Sequence, residues 1–327
     1  MRLIWHVQAL NRGDDLEFPV FDLSQFETST GRARQDKAAQ LDRICRETGF
    51  LVLKGHGVDE TLTERMFAAV RGFFEQPTEI KNDTAAPYPG YPYGWLGPDK
   101  EALARSKGAD TPPDLKESFN GGPLTIPPGI PDPQAYEFCY QPTLWPGLPG
   151  FRETWEEYYA QMEALAARVM AAFAAALELP EDFFVPFIGQ PISALRALHY
   201  PGTQDQIRQD QQRAGAHTDY GSLTILLPQP GSSGLQINRE GIWIDVPAPA
   251  GAFVINIGDL MARWTADRWV STLHRVVAKP GQPERYSLAF FHQPDWMAEI
   301  SPLDGSSAYP MVRSGPYLME KFQSTAK

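Results

Sequence analysis

The chain has 327 residues, of which 43% are hydrophobic and 21% charged, so the composition is globular and excludes a fibrous or disordered protein. Forty acidic residues against 29 basic residues give a formal net charge of −11, which argues against long-range attraction to nucleic acid or an anionic membrane. The two cysteines, Cys45 and Cys139, cannot form a disulfide framework, which is typical of a reducing compartment.

Two further observations concern cellular location. No apolar stretch approaches the roughly 20 residues of a membrane span. The first residues, MRLIWHVQALNR, contain an apolar run that is too short and too interrupted for a signal peptide. We therefore expect a cytoplasmic protein that binds neither a membrane nor nucleic acid.

The N-terminal part of the chain predicts alternating strands and helices. Phe18–Leu23 is a short apolar run with a proline at its entry, which is typical of a strand near a sheet edge. Apolar residues at helical spacing from Leu41 to Thr48 predict a helix, and Phe50–Leu53 predicts a second strand. Asp59 is placed to cap a further helix, whose buried stripe runs from Leu62 to Phe74.

Residues 82–150 have a different character. The segment is dense in proline, glycine and aromatic residues, so it is too interrupted for regular elements and too aromatic for a solvated linker. It predicts a long ordered loop over a pocket, with Tyr91 or Tyr93 lining the space for a substrate. Helical periodicity returns from Phe151 to Leu177, and Pro180 ends that helix.

From residue 191 the sequence predicts a β-rich core. Short apolar runs separated by glycine and proline indicate a sandwich or a barrel-like jelly roll, so the fold class is mainly β with flanking α. We expect residues 1–190 to form a helical and strand-containing region that packs on a core of residues 191–327. The predicted core strands are Leu195–Tyr200, Leu223–Leu227, Gly234–Ile237, Trp243–Val246, Phe253–Ile257, Ser271–Val277 and Tyr286–Phe291.

The most informative residues are a histidine and an aspartate two positions apart and a later histidine. On extended backbone, His217 and Asp219 point to the same face, and a second strand can bring His274 opposite them. Two imidazoles and one carboxylate on one side of a metal leave coordination positions open, as in non-haem Fe(II) oxygenases. Zinc could bind the same ligands but lacks redox chemistry.

A second polar group follows on a later strand. Arg285 and Ser287 share a strand face, and the turn signal Pro280-Gly281 allows their strand to pair with that of His274. A guanidinium beside a hydroxyl can bind a carboxylate through charge-assisted hydrogen bonds. His292 follows the same strand, and we expect it at the pocket mouth as a further substrate contact.

These motifs together resemble the isopenicillin N synthase-like branch of the Fe(II)/2-oxoglutarate-dependent oxygenases. The resemblance extends over most of the chain and is densest between Leu195 and Pro294. The segments that carry it are Pro19–Leu23, Gly49–Gly57, Gly215–Gly221, Gly234–Gln236, Asn256–Asp259, Ser271–Val276 and Arg285–Ser287.

The resemblance implies a double-stranded β-helix with N-terminal helices, in which His217, Asp219 and His274 are the metal ligands and catalytic residues. It implies an enzyme that uses Fe(II), 2-oxoglutarate and O2 to hydroxylate, desaturate or cyclise a small-molecule substrate, releasing succinate and CO2. In such enzymes the metal and its cosubstrate carry out the oxidation, and the protein binds and orients the reactants.

The resemblance also implies how 2-oxoglutarate is held. Arg285 and Ser287 would bind its distal carboxylate, and Tyr200 would reach the cosubstrate. Leu198 stands where many plant relatives carry an asparagine two residues before this tyrosine, so the side-chain amide of those relatives is missing here.

Three alternatives stay open at this point. Isopenicillin N synthase itself keeps an Arg-x-Ser motif without using 2-oxoglutarate, so an oxidase of that type is one. Ethylene-forming fragmentation of 2-oxoglutarate is the second. The third is an inactive binding protein on the same fold, against which the intact set of two histidines and an aspartate argues.

Some polar residues have a simpler structural interpretation. Asn256 and Asp259 could lie near the metal, but the sequence around them more simply indicates a turn. Four basic residues could meet an acidic substrate, although such residues are more often surface or paired charges. They are Lys116, Arg196, Arg208 and Arg213.

Overall fold

The structure is a computed structural model that describes residues 18–130, 132–203 and 207–325. The first residues, and with them the expectation about a signal peptide, lie outside this described part. The described helices are α1 (Leu23–Thr28), α2 (Gly31–Glu47), α3 (Glu60–Phe74), α4 (Thr78–Asn82), α5 (Pro133–Cys139), α6 (Phe151–Ala176), α7 (Asp259–Trp264) and α8 (Ser314–Thr325), with 3-10 turns at Leu103–Lys107 and Val185–Phe187.

The strands are short, and most of them come after residue 190. They are β1 (Val20–Asp22), β2 (Phe50–Lys54), β3 (Gly94–Leu96), β4 (Glu117–Gly121), β5 (Ala194–Tyr200), β6 (Ala214–His217), β7 (Leu223–Pro228), β8 (Leu235–Arg239), β9 (Ile242–Asp245), β10 (Phe253–Ile257), β11 (His274–Val276), β12 (Arg285–His292), β13 (Glu299–Ile300) and β14 (Val312–Arg313).

Two sheets form the centre of the molecule. The large sheet has the strand order β1-β2-β10-β7-β12-β5-β4-β3, and the small sheet has the order β6-β11-β8-β9. Their inner faces share one apolar cluster, to which the large sheet contributes Leu198 and Val254 and the small sheet contributes Ile237 and Val276. Two sheets packed in this way confirm the predicted mainly β fold of the double-stranded β-helix type.

The outer face of the large sheet is covered by helices. The 26-residue α6 lies there with a continuous buried stripe that includes Trp155, Met162 and Phe173, and it packs against α2 and α3. Leu288 of β12 belongs to the same buried cluster. The helical periodicity predicted between Phe151 and Leu177 is confirmed, because the residues of the apolar stripe face this sheet rather than solvent.

Strand β12 separates the two environments. Its residues alternate, so Tyr286, Leu288 and Phe290 belong to the cluster under the helices, whereas Ala289 and Phe291 belong to the cluster between the sheets. Arg285 and Ser287 therefore point into the space between the two sheets.

The structure corrects the prediction for residues 82–150. We expected a loop without regular elements, but β3 and β4 lie in this segment and extend the large sheet beyond β5, and α5 follows them. The motif Gly258-Asp259 is also not a simple turn, because Asp259 begins α7. Short strands and short helices escape the sequence pattern because they contain too few residues to show a period.

Other expectations agree closely with the structure. Asp59 caps α3 by accepting a hydrogen bond from the backbone N–H of Thr61, and Phe50–Lys54 is a strand whose first four residues are buried. The predicted strand Phe253–Ile257 has the same bounds in the structure. Among the helices of the described ranges, none combines the length and apolar character needed to cross a membrane.

Candidate metal centre

Three predicted ligands meet at one end of the small sheet. His217 is the last residue of β6 and His274 is the first of β11, and the two are paired across these antiparallel strands. Asp219 lies two residues beyond β6, and its Oδ1 is 3.7 Å from Nε2 of each histidine. One candidate ligand atom from each of the three residues lies within 4.8 Å of the others. Strand pairing thus places His274 next to His217, although the two residues are far apart in the sequence.

The backbone fixes which nitrogen of each imidazole faces the centre. Nδ1 of His217 contacts the carbonyl of Gly215 at 2.7 Å, and Nδ1 of His274 contacts the carbonyl of Thr272 at 3.1 Å. Each carbonyl accepts a hydrogen bond from Nδ1–H, so in the neutral imidazole Nε2 carries the lone pair and faces Asp219. Metal-bound histidines are commonly oriented by this kind of hydrogen bond.

Two residues on the large sheet orient the aspartate. Oδ2 of Asp219 accepts a hydrogen bond from Nδ2 of Asn256 at 2.7 Å and another from Oγ1 of Thr224 at 2.5 Å. These bonds leave Oδ1 to face the histidines. Sequence reasoning missed this role of Asn256, and the signal was present, because an amide in the middle of the buried run Phe253–Ile257 needs a polar partner.

The protonation states suit a cation. Burial and the nearby charge of His274 lower the pKa of His217 to about 3, so its imidazole is neutral at physiological pH. Burial alone would raise the pKa of Asp219. The two adjacent imidazoles and the hydrogen bonds from Thr224 and Asn256 outweigh burial and hold that pKa below its ordinary value. The site therefore offers an anionic oxygen from Asp219 and a neutral nitrogen from His217.

The donor set fits a divalent transition metal. Ligand atoms about 2.1 Å from a metal lie roughly 3.0 to 3.4 Å apart at octahedral or tetrahedral angles, and the two carboxylate–imidazole separations here are slightly wider, at 3.7 Å. Two nitrogens and one oxygen on one side leave several positions of an octahedral metal open. This arrangement is the one found at non-haem Fe(II) centres that admit a second ligand.

A buried arginine lies on the neighbouring strand pair. Arg285 is directly opposite Tyr200 in the β12–β5 register, and its guanidinium carbon is 4.9 Å from the centre of the Tyr200 ring. Nη1 donates to Oγ of Ser287 at 3.3 Å, while Nε is buried without a hydrogen-bond partner in the described part of the chain. Leu198, opposite Ser287, supplies no polar group. The geometry brings Arg285, Ser287 and Tyr200 together.

The three predicted substrate residues are placed elsewhere. His292 lies on the helix-facing side of β12, opposite to Arg285, and its Nδ1 contacts Oγ of Ser222 at 2.7 Å. The hydroxyl of Tyr93 is buried and donates to the carbonyl of Cys139. Tyr91 is partly exposed and donates to the carbonyl of Pro142. The structure does not group these side chains with the three ligands.

The basic residues differ strongly in environment. Lys116 is buried, with Nζ 3.1 Å from Glu101 and 3.1 Å from Asp114, whereas Arg208 is exposed. Arg196 is half-buried and donates to Asn120 and Glu101. Arg213 is buried with 2% of its surface exposed, contrary to the expectation of a surface charge.

Comparison with protein families gives two matches, which cover separate parts of the chain. Residues 191–294 match the model of the 2OG-Fe(II) oxygenase superfamily. Residues 18–148 match the model described as non-haem dioxygenase in morphine synthesis N-terminal. All three candidate ligands and the Arg285–Ser287 pair lie inside the first match.

Similar proteins cover nearly the whole chain. Validamycin A dioxygenase of Streptomyces hygroscopicus subsp. limoneus is 35% identical, over 93% of this chain and 85% of its own length. The 2-oxoglutarate-Fe(II) type oxidoreductase hxnY of Emericella nidulans is 34% identical, over 87% of this chain and 82% of its own.

A solved structure is similar over a comparable range. The crystal structure of a full-length Neurospora crassa protein in complex with alpha-KG and thymine has a TM-score of 0.82 and 30% identity, and covers 94% of this chain and 97% of that one. The comparisons with sequences and with structures thus identify the same group of proteins.

Proposed function

The chain belongs to the 2OG-Fe(II) oxygenase superfamily, and from that membership we propose that His217, Asp219 and His274 hold its iron. The protein is an Fe(II)- and 2-oxoglutarate-dependent oxygenase, so the oxidase and inactive-protein alternatives are set aside. The observation that carries the ligand assignment is the convergence of Oδ1 of Asp219 with two Nε2 atoms whose rings are held by backbone carbonyls.

Iron bound there, with 2-oxoglutarate and O2, supplies the oxidising power that hydroxylates a C–H bond and releases succinate and CO2. The residues of the chain then have separate tasks. The two imidazoles and the carboxylate fix the metal on one side. Thr224 and Asn256 hold the carboxylate so that a single oxygen faces the metal. Burial of Asp219 and His274 excludes water from that side.

We further propose that Arg285 binds the distal carboxylate of 2-oxoglutarate, with Ser287 and Tyr200 beside it. A buried guanidinium whose Nε has no hydrogen-bond partner among the described residues needs an acceptor, and a carboxylate is the group that matches it geometrically. Ser287 and the Tyr200 ring restrict the orientation of the guanidinium. Tyr91, Tyr93 and His292 bond to Pro142, Cys139 and Ser222 respectively, so we do not extend the proposal to them.

We also propose that the substrate is a small molecule, as thymine is in the complex of the Neurospora crassa protein. The net charge of −11 supports this proposal, because it disfavours binding of an extended polyanion.

The ligand assignment is tested by removing each ligand in turn. We expect His217→Ala, Asp219→Ala and His274→Ala to lose Fe(II) from the purified protein and to form no succinate above background. His56→Ala is the matched control, because the His56 imidazole contacts the carbonyl of Gly251 away from the site. An Asp219→Ala protein that keeps stoichiometric iron would overturn the assignment.

A further inference from the structure

A second buried guanidinium lies at the end of the strands that carry Arg285 and Tyr200. Arg213 precedes β6 and is among the largest fully buried side chains, with 2% of its surface exposed. Its Nη2 donates to the carbonyl of Pro201 at 2.9 Å and to that of Pro283 at 2.5 Å. Its Nε is buried without a hydrogen-bond partner among the residues that the structure describes.

These two carbonyls locate Arg213 relative to the cosubstrate site. Pro201 follows Tyr200 at the end of β5, and Pro283 lies two residues before Arg285 at the start of β12. Tyr200 and Arg285 are directly paired across these strands. Arg213 is therefore hydrogen-bonded to the backbone of both strands, close to the paired residues Tyr200 and Arg285.

The charges of the two arginines act on each other. Burial lowers the pKa of Arg213, and the neighbouring charge of Arg285 lowers it further. Burial likewise lowers the pKa of Arg285. In the described residues, no carboxylate forms a salt bridge with either side chain. The local structure thus concentrates two positive charges where the described residues supply carbonyl, hydroxyl and phenol oxygens.

Burial of an unpaired charge is costly, and removing the partner of a buried ion pair is typically strongly destabilising. A site that keeps two such charges is suited to an anion that enters from outside. Carbonyl contacts alone satisfy hydrogen bonds of Arg213 but do not neutralise its charge.

We propose that Arg213 is a second cation of the 2-oxoglutarate site, where its charge adds to that of Arg285 in attracting the distal carboxylate. This inference rests on the proposed role of Arg285. Its consequence is selectivity, because the pair favours 2-oxo acids with a second carboxylate over 2-oxo acids with an uncharged tail. Arg213 is a positioning residue that acts through charge and through the strand ends it joins.

The test compares two ligands that share the chelating end and differ in the tail. 2-Oxoglutarate and 2-oxopentanoate are titrated calorimetrically into protein loaded with Zn(II), which binds the same ligand types without redox chemistry. We expect Arg213→Gln to weaken 2-oxoglutarate binding by about tenfold, a change equal to about 1.4 kcal/mol, and to leave 2-oxopentanoate binding unchanged. Arg213→Lys keeps the charge and should restore most of the preference.

A purely structural role predicts another pattern. If Arg213 only joins two strand ends, Arg213→Gln weakens both acids equally and Arg213→Lys does not restore the preference, which overturns the inference. Unchanged 2-oxoglutarate binding in Arg213→Gln overturns it as well. Arg168→Gln is the control for loss of a guanidinium, because Arg168 bonds Glu27 and the carbonyl of His56 on the helical side.

Two additions keep the result decisive. If Arg213→Gln does not fold, Arg213→Lys decides alone. A kept preference for 2-oxoglutarate over 2-oxopentanoate supports the charge role, and a lost preference contradicts it.

Arg285→Gln separates this inference from the proposal on which it rests. If Arg285→Gln keeps full 2-oxoglutarate affinity, the proposed role of Arg285 fails. If Arg285→Gln loses 2-oxoglutarate affinity and Arg213→Gln keeps it, the role of Arg285 is supported and the inference about Arg213 fails.

Discussion

Asn256 donates its side-chain amide to Oδ2 of Asp219 over a distance of 2.7 Å, although the two residues are 37 positions apart. The bond connects the two sheets at the proposed metal centre, because Asn256 lies on β10 of the large sheet and Asp219 follows β6 of the small sheet. Partners of metal ligands commonly contribute 10-fold to 100-fold to affinity or activity.

Removing this amide is expected to weaken iron binding while the fold is kept. For Asn256→Ala we expect a loss of Fe(II) affinity of about 10-fold to 100-fold, measured by competition with a chromogenic chelator under anaerobic conditions. Asn238→Ala is a matched control, since the Asn238 side chain accepts a hydrogen bond from the backbone N–H of Gly241, at a turn outside the proposed site. Equal affinities in Asn256→Ala and wild type would contradict the role.

Thr224 acts on the same carboxylate oxygen, so its effect depends on Asn256. Thr224→Val keeps the shape of the side chain and removes the donor to Oδ2 of Asp219. We expect each single variant to lose iron affinity and the double variant with Asn256→Ala to lose more than the sum, because the carboxylate is then free to rotate. Strict additivity in the same chelator competition would show that the two bonds act independently.

Lys81 and Glu117 form a buried ion pair on the helix-facing side of β4, with 2.7 Å between Nζ and Oε2. Glu117 also accepts from Nε1 of Trp95. Lys81→Met leaves the carboxylate buried without its cation, so we expect a loss of about 3 to 5 kcal/mol in the free energy of unfolding.

Urea denaturation measures the loss in the free energy of unfolding of Lys81→Met. A second variant shows whether the unpaired carboxylate causes it. Adding Glu117→Gln to Lys81→Met removes the unpaired charge and should recover part of the stability. If the double variant is less stable than Lys81→Met, the lost ion pair is not the cause of the destabilisation.

The buried imidazole of His292 is expected to make the folded protein less stable in acid. Burial lowers its pKa in the folded protein to about 4, whereas an unfolded histidine titrates near pH 6.5. Below pH 6.5 the unfolded state therefore binds a proton that the folded state does not, and stability falls until the pH reaches about 4. The linked loss is about 2 kcal/mol at pH 5 and about 3 kcal/mol at pH 4.

The contribution of His292 is isolated by comparison with a variant that cannot titrate. We expect His292→Asn to lose less stability than wild type between pH 7.5 and pH 5, in urea denaturation curves at each pH. All other groups titrate in both proteins, so their contributions cancel. Parallel pH profiles for the two proteins would exclude His292 as the source.

The sequence was most informative where residues of one kind recur at a regular interval. The stripe of α6 was predictable, because burial on one face requires a periodic pattern. The alternation of side chains on an extended strand likewise placed Arg285 and Ser287 on one face of β12. His217 and Asp219 were recognisable as a pair through their spacing on extended backbone, and a second predicted strand could bring His274 opposite them. The resemblance then implied that all three are metal ligands.

Features that depend on contacts between distant segments were less predictable. The strands β3 and β4 were hidden in a segment rich in proline and glycine, because their stability comes from pairing with β5 and not from local propensity. The burial of Arg213 was equally hidden, since its acceptors are carbonyls of Pro201 and Pro283, and a backbone carbonyl leaves no mark in the sequence.

The pairing of β2 with β10 has a consequence for how the chain can be divided. Four residues of β10 are matched to β2, and all five residues of β10 are buried. In a shortened protein that begins at residue 191, Phe253–Ile257 would be an exposed apolar edge strand, able to pair with the same strand of another copy. Exposed edge strands of this kind promote aggregation. Residues before and after position 191 are therefore best kept together when the protein is expressed or engineered.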